Sequence, residues 1–262
     1  MAQLLTDELW DEVGPLLPPH RPRPRGGRKP VDDRVALAGI LFVLKTGIGW
    51  EDLPREIGCS GMTCWRRLRD WQAAGVWDAL HRLLLDRLRG AERIDFSRVL
   101  VDSGSVRAVL GGNRPARARR TAASSAANTT WWSRLTGFRW RRRSRANRHD
   151  RTQLIPLVDA IPPVRGKRGA PLRKPASVVA DRGYDYDCHR LTLSCRSIRT
   201  HIARRGTPHG SGLGVWRWPV ERTISWLHQF RRLRLRHERR DDIHEAFLNL
   251  ACSLICFHVL IR

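Results

Sequence analysis

Three acidic residues stand where they could hold metal. Asp102 closes the apolar run "RVLVDS", and Asp181 closes a second one, "KPASVVADRGYD". Each run reads as a short buried strand, and strand ends are where α/β sheets build sites. Glu221 falls in a later, helical stretch between Val220 and Ile224, so it need not face bulk water. Three converging carboxylates are costly to bury without cations. Two Mg²⁺ ions would neutralise them and clamp the attacking and leaving oxygens of a phosphodiester. The chemistry this suggests is that of a nuclease, polynucleotidyl transferase or integrase. An Asp after a strand is also a common turn or cap residue. Asp150, Asp159, Asp185 and Asp187 are rival acids, the last two placed to cap the helix that follows.

The partner is legible in the charge. The 262 residues carry a formal net charge of +24, and a pI of about 11.5 follows. A polyanion, DNA or RNA, is the expected partner. The six cysteines show no paired CxxC spacing, so neither a zinc site nor a disulfide framework is expected, and a reduced, cytoplasmic setting fits. The C-terminal "HEAFLNLACSLICFHVLIR" is the most apolar stretch, and His, Glu and Asn interrupt it. It reads as a buried core helix and not as a membrane span.

The elements that position these residues fall into two groups. Residues 1–92 are helical in pattern. Thr6 or Asp7 can cap a first helix, Asp32 or Asp33 a second that Gly47 ends, and Ser60 a third with Met62, Trp65, Leu68 and Trp71 on one side. A short helix from Leu53 to Ile57 before that third helix, with Gly58 in the turn, predicts a helix-turn-helix. Arg66, Arg67 and Arg69 would then face DNA. A plain bundle with solvated arginines is the alternative. Residues 93–262 alternate strand and helix, an α/β pattern.

"LTDELWDEVGPLLPP", "GRKPVDDRVALAGILFVLKTGIGWEDLP", "VDSGSVRA", "NRHDRTQLIPLVDAIPPVRG", "ADRGYDYD" and "VERTISWLHQFRRLRLRHERRDDIHEAFLNLACSLIC" together resemble bacterial transposases of the insertion-sequence-five family. The resemblance implies a helical DNA-binding domain over 1–92 and a ribonuclease-H-like DDE domain over 93–262. It implies Asp102, Asp181 and Glu221 as the triad holding two Mg²⁺ ions. It implies phosphate contacts from Arg217, four residues before the Glu, and from His228, seven after, where many relatives have Lys. Double-stranded DNA at terminal inverted repeats and target, a homodimer in a synaptic complex and a nucleoid-associated location in a bacterium are implied with it.

The resemblance breaks across residues 113–145. There the family has two strands containing a pattern close to "GSKHHLVV…DGIPLA", and this chain has "ASSAANTTWWSRLTGFRWRRRSR". Reading each codon as the last base of one residue plus the first two of the next, Ser125 to Ser133 permits the first pattern. Leu135 to Arg141 permits the second. The segment therefore reads as translated out of frame, which predicts disruption of the second and third strands and disorder in the segment. Two other readings stay open. The chain could bind DNA without catalysis, or the Trp- and Arg-rich run could itself be a nucleic-acid arm. Residues 113–145 hold ten arginines and no acid, so the rest of the chain still carries +14 of the +24.

Overall fold

A computed structural model describes residues 5–20, 29–94, 96–107, 109, 126–133, 152, 154–206 and 222–262. The N-terminal part is built from four helices whose ends follow the expected chemistry. Helix α1 (Asp7–Val13) is capped by the Thr6 hydroxyl, which accepts the Leu9 N–H at 3.3 Å. Helix α2 (Asp33–Thr46) is capped by Asp32 and ends at Gly47, whose φ of +77° only glycine adopts easily. Ser60 caps α3 (Gly61–Ala73), accepting from the Thr63 N–H at 3.2 Å. Gly75 turns the chain into α4 (Val76–Gly90).

One expected element is different. Between Leu53 and Ile57 the chain makes only a single 3₁₀ turn, Arg55–Ile57. Pro54 opens it and Gly58, at φ +89°, closes it, which leaves room for no more. The predicted helix-turn-helix therefore lacks its first helix there, and α3 packs on α2 instead.

A four-stranded sheet follows, in the order β2-β1-β3-β4. The strands are β1 (Arg98–Arg107), β2 (Ala126–Ser133), β3 (Ser177–Ala180) and β4 (Arg199–Ile202). β1 runs antiparallel to β2 and parallel to β3, and β3 runs parallel to β4. Short helices α5 (Leu154–Asp159) and α6 (Asp187–Cys195) connect them. The expected disruption of the second strand is corrected by β2, which pairs with β1. Thr129, Thr130, Trp131 and Trp132 are β-branched or aromatic, types that suit a pleated surface whatever reading frame produced them. The rest of 113–145, where the other disrupted strand would fall, lies outside the described residues.

The chain ends with α7 (222–228), α8 (Arg231–Arg234) and α9 (Asp241–Ile261). α9 has the length and apolarity of a membrane span, yet 78% of its most apolar window is buried inside the protein. It packs on α4 and α3, and Phe247 stacks on Trp50 at 5.5 Å. One apolar core joins α1 to α4, the inner sheet face and α9. Composition changes near residue 92, but packing continues across it.

Candidate active site

The site is built from two adjacent parallel strands. Their register pairs Arg98 with Ser177 and ends at Val101 with Ala180. Asp102 and Asp181 are the next residue on each strand, so the two positions stand at one level of the sheet. Neighbouring strands lie about 4.8 Å apart. Beyond that level the strands part. β3 stops and turns through a 3₁₀ segment, Arg182–Tyr184. β1 continues to Arg107, paired with β2 alone. Asp102 is thus not at a strand end, as the sequence suggested. It is mid-strand, opposite Trp131, because β2 extends the pairing on the other side.

Asp181 caps the turn it opens, accepting the Gly183 N–H at 3.0 Å. Its second carboxylate oxygen has no hydrogen-bond partner among the described residues. The turn is fastened from below. Asp185 accepts from Arg190 of α6 at 2.6 Å and from the Arg205 N–H at 2.8 Å. These contacts, Arg190 first, hold the Asp185 carboxyl below its ordinary range. Arg205 donates to the carbonyls of Arg182 and Gly183 and lies over the Tyr186 ring at 4.8 Å. The expectation that Asp185 and Asp187 cap α6 is corrected: its N-cap is Tyr186, with no side-chain cap. Asp187 instead meets Arg204 at 3.4 Å, and Asp159 pairs with Arg196.

Glu221 and Arg217 lie outside the described residues, and Asp150 with them. Helix α7 does reach the sheet. Ile224 packs against Leu100 and Val179, a register pair on β1 and β3. Val99, Val101, Val178 and Ala180 belong to the main core on the opposite face. Burial holds the Arg222 guanidinium below its ordinary range, and it lies over Trp226 at 4.8 Å. His228 is exposed at the end of α7. Among the described residues no three His, Cys, Asp or Glu side chains form a metal-sized group.

The arginines expected to meet DNA divide in use. Arg66 is exposed and lines an open groove of about 1100 Å³ beside Lys29, Arg55 and Trp65. Arg67 is engaged within the chain, 3.2 Å from Asp33 and 3.1 Å from His20. Arg69 pairs with Asp70 at 2.7 Å and lies over Trp65. Sequence reading missed Arg232 and Arg236. Arg232 is buried with Glu238 at 2.6 Å and donates to the Ile48 carbonyl at 2.8 Å. Arg236 is buried too, bonded to the carbonyls of Glu238 and Arg239. In "RRLRLRHERRDD" nothing but non-periodic spacing separates these from surface arginines.

Comparison with known proteins gives the family. A family model described as transposase of the IS4/5 family matches residues 5–81, and a transposase DDE domain model matches residues 136–256. Neither extends over residues 82–135, where Asp102 lies. The chain is 64% identical over 114 residues to an uncharacterized 16.2 kDa protein of insertion element IS402 from Burkholderia cepacia, covering 42% of this chain and 78% of that one. It is 62% identical over 117 residues to a protein described as a transposase for IS402 from the same organism, covering 45% of this chain and 56% of that relative's length. Among solved structures, the Mos1 strand transfer complex aligns with a TM-score of 0.26 at 14% identity, over 93% of this chain and 82% of that one. By its two matched domains and its IS402 relatives, the chain belongs to the IS4/5 family of insertion-element transposases and carries their DDE domain.

Proposed function

We propose that this chain is built to cut and join DNA at insertion-sequence ends, with Asp102, Asp181 and Glu221 as its metal-holding carboxylates, and that the out-of-frame run at 113–145 leaves it weak or inactive. The observation that supports the pair is the parallel register that ends at Val101 and Ala180. By the two-residue period of a strand, positions 102 and 181 share the sheet face of Leu100 and Val179, the face on which Ile224 packs. In sequence, Glu221 precedes Ile224 by three residues. The donor set fits the metal, because carboxylate oxygens are the hard ligands Mg²⁺ prefers, and among the described residues one Asp181 oxygen is uncommitted. Bound there, two Mg²⁺ ions would supply charge neutralisation at the attacking and leaving oxygens.

The protein's own part is positioning. Gly183 orients the Asp181 carboxylate, and the Asp185, Arg190 and Arg205 contacts hold the turn that carries it. Residues 1–92 would read the terminal repeats, with Arg66 the best exposed of the three candidates. Arg217 and His228 would contact phosphate, and a homodimer would bring two ends together. In this reading β2 supplies a neighbour for β1 but not the family's residues, so the placement a DDE site needs is degraded.

The test joins nucleotide sequence to assay. An Ala127 codon ending in any base but A forbids the Lys of the shifted pattern and removes the frame argument. In a Mg²⁺-dependent strand-transfer assay on terminal-repeat DNA, the chain as it stands should give little joined product. A version with codons 113–145 returned to the family's frame should join DNA, and Asp181→Asn in that version should abolish joining without abolishing DNA binding. Robust joining by the unrepaired chain would overturn the loss of activity. Retained joining in the Asp181→Asn version would overturn the site.

A further inference from the structure

Two thiols meet at the crossing of α2 and α3, in a part of the chain to which the transposase reading gives no thiol chemistry. The Sγ atoms of Cys59 and Cys64 are 3.1 Å apart. Cys64 is fully buried on the first turn of α3, and Cys59 is half-buried just before the Ser60 cap. Cys59 also lines the open groove that carries Arg66, so a small reagent can reach it. The space for the pair comes from α2. A Cβ on Gly39 would sit 2.5 Å from the Cys64 sulfur and 3.4 Å from the Cys59 sulfur. Glycine costs about 1 kcal/mol in a helix interior, and here it leaves room for the two sulfurs. The described exposed thiols, Cys188 and Cys195, lie at opposite ends of α6.

We propose that Cys59 and Cys64 are a reversible disulfide site, opened to oxidants through the groove and clasping the loop before α3 to its first turn. A closed bond needs sulfurs about 2.05 Å apart, so the pair has roughly one ångström to travel. Two features fix the order of events. Burial, with Cys59 beside it, pushes the Cys64 thiol up, so Cys64 is the poorer first nucleophile. Cys59 faces the groove and attacks first. With a low-molecular-weight disulfide as oxidant, the Cys59 thiolate attacks one sulfur and expels the other half as a thiolate, leaving a mixed disulfide. Cys64 gives up its proton and attacks the Cys59 sulfur, expelling the second half. One small disulfide is reduced to two thiols, and two protein thiols are oxidised to one disulfide. A metal role is disfavoured by the ligand set, since a closed site needs four donors and among the described residues no third joins the pair.

The proposal does not depend on transposition, and neither does its test. The full chain is incubated with glutathione disulfide, quenched with alkylating agent in denaturant and digested with trypsin without reduction. Both cysteines fall in one tryptic peptide, residues 56–66. Most of that peptide should be two hydrogens lighter and unalkylated, and dithiothreitol should restore it. Cys188 and Cys195 should carry single glutathiones instead. Alkylation of both Cys59 and Cys64 while Cys188 and Cys195 react would overturn the site, as would stable glutathione on Cys59. In Cys59→Ser, Cys64 should stay a thiol under the same treatment. Glutathionylation of Cys64 there as readily as of Cys188 would overturn the order of attack.

Discussion

Arg232 shows why counting arginines overstates how much of this chain meets DNA. It is buried, bonded through Nε and Nη2 to Glu238, and lies over Trp50 at 6.0 Å. Removing one partner of a buried pair strands the other charge, which costs about 3–5 kcal/mol. Arg232→Ala should lower stability by that amount in urea unfolding, whereas Arg232→Met with Glu238→Leu should recover most of it. Equal losses in both variants would show that the chain needs the charge itself. Asp185 makes a pH prediction. Its folded carboxyl titrates below the unfolded value of about 3.9, so the unfolded chain binds more protons there. Its contribution is whole above that value and is lost as pH falls through the folded one. Asp185→Asn should therefore flatten the acid limb of stability below about pH 4, and an unchanged limb would remove Asp185 from the turn's fastening.

At the scale of elements, the N-terminus of α3 depends on contact and not only on its cap. A Cβ on Gly61 would overlap the Trp50 carbonyl. Alanine is otherwise the better helix former by about 1 kcal/mol. Gly61→Ala should nevertheless destabilise by about 1–3 kcal/mol, and a stabilised variant in denaturant melts would refute the close approach. Local chemistry was readable in the sequence: Thr6, Asp32 and Ser60 cap where they should, Gly47 stops α2, and Ser177–Ala180 is a buried strand. Misread elements were those whose extent depends on a remote partner. β1 looked as if it ended at Asp102 because its apolar run ends there, and it continues because β2 lies opposite. The Leu53–Ile57 helix was expected from composition, and Pro54 and Gly58 allow one 3₁₀ turn. At the candidate site, the sequence nominated Asp102 and Asp181, but their common level required the β1–β3 register. The buried arginines and the Cys59–Cys64 pair have no periodic signature at all.

For the whole molecule, the last helix decides how the two parts depend on each other. α9 contributes Phe247, Leu250, Ala251 and Leu254 to a core shared with α4, and its Asn249 reaches Asp78 at 3.3 Å. Trp77, Leu80, Leu84 and Leu88 of α4 are fully buried in that core. A fragment of residues 1–92 would expose this face to water, and burying a large apolar side chain contributes about 1.5–3 kcal/mol. Several such losses exceed the net stability of a small domain, about 5–15 kcal/mol. The fragment should accordingly unfold without a cooperative transition by circular dichroism. Joining residues 241–262 to it through a flexible linker should restore a sigmoidal melt. A cooperative melt from 1–92 alone would mean that the helical part folds independently. If α9 is required, the part that would read DNA forms only after the final helix is made, on a chain that already carries both strands of the proposed site.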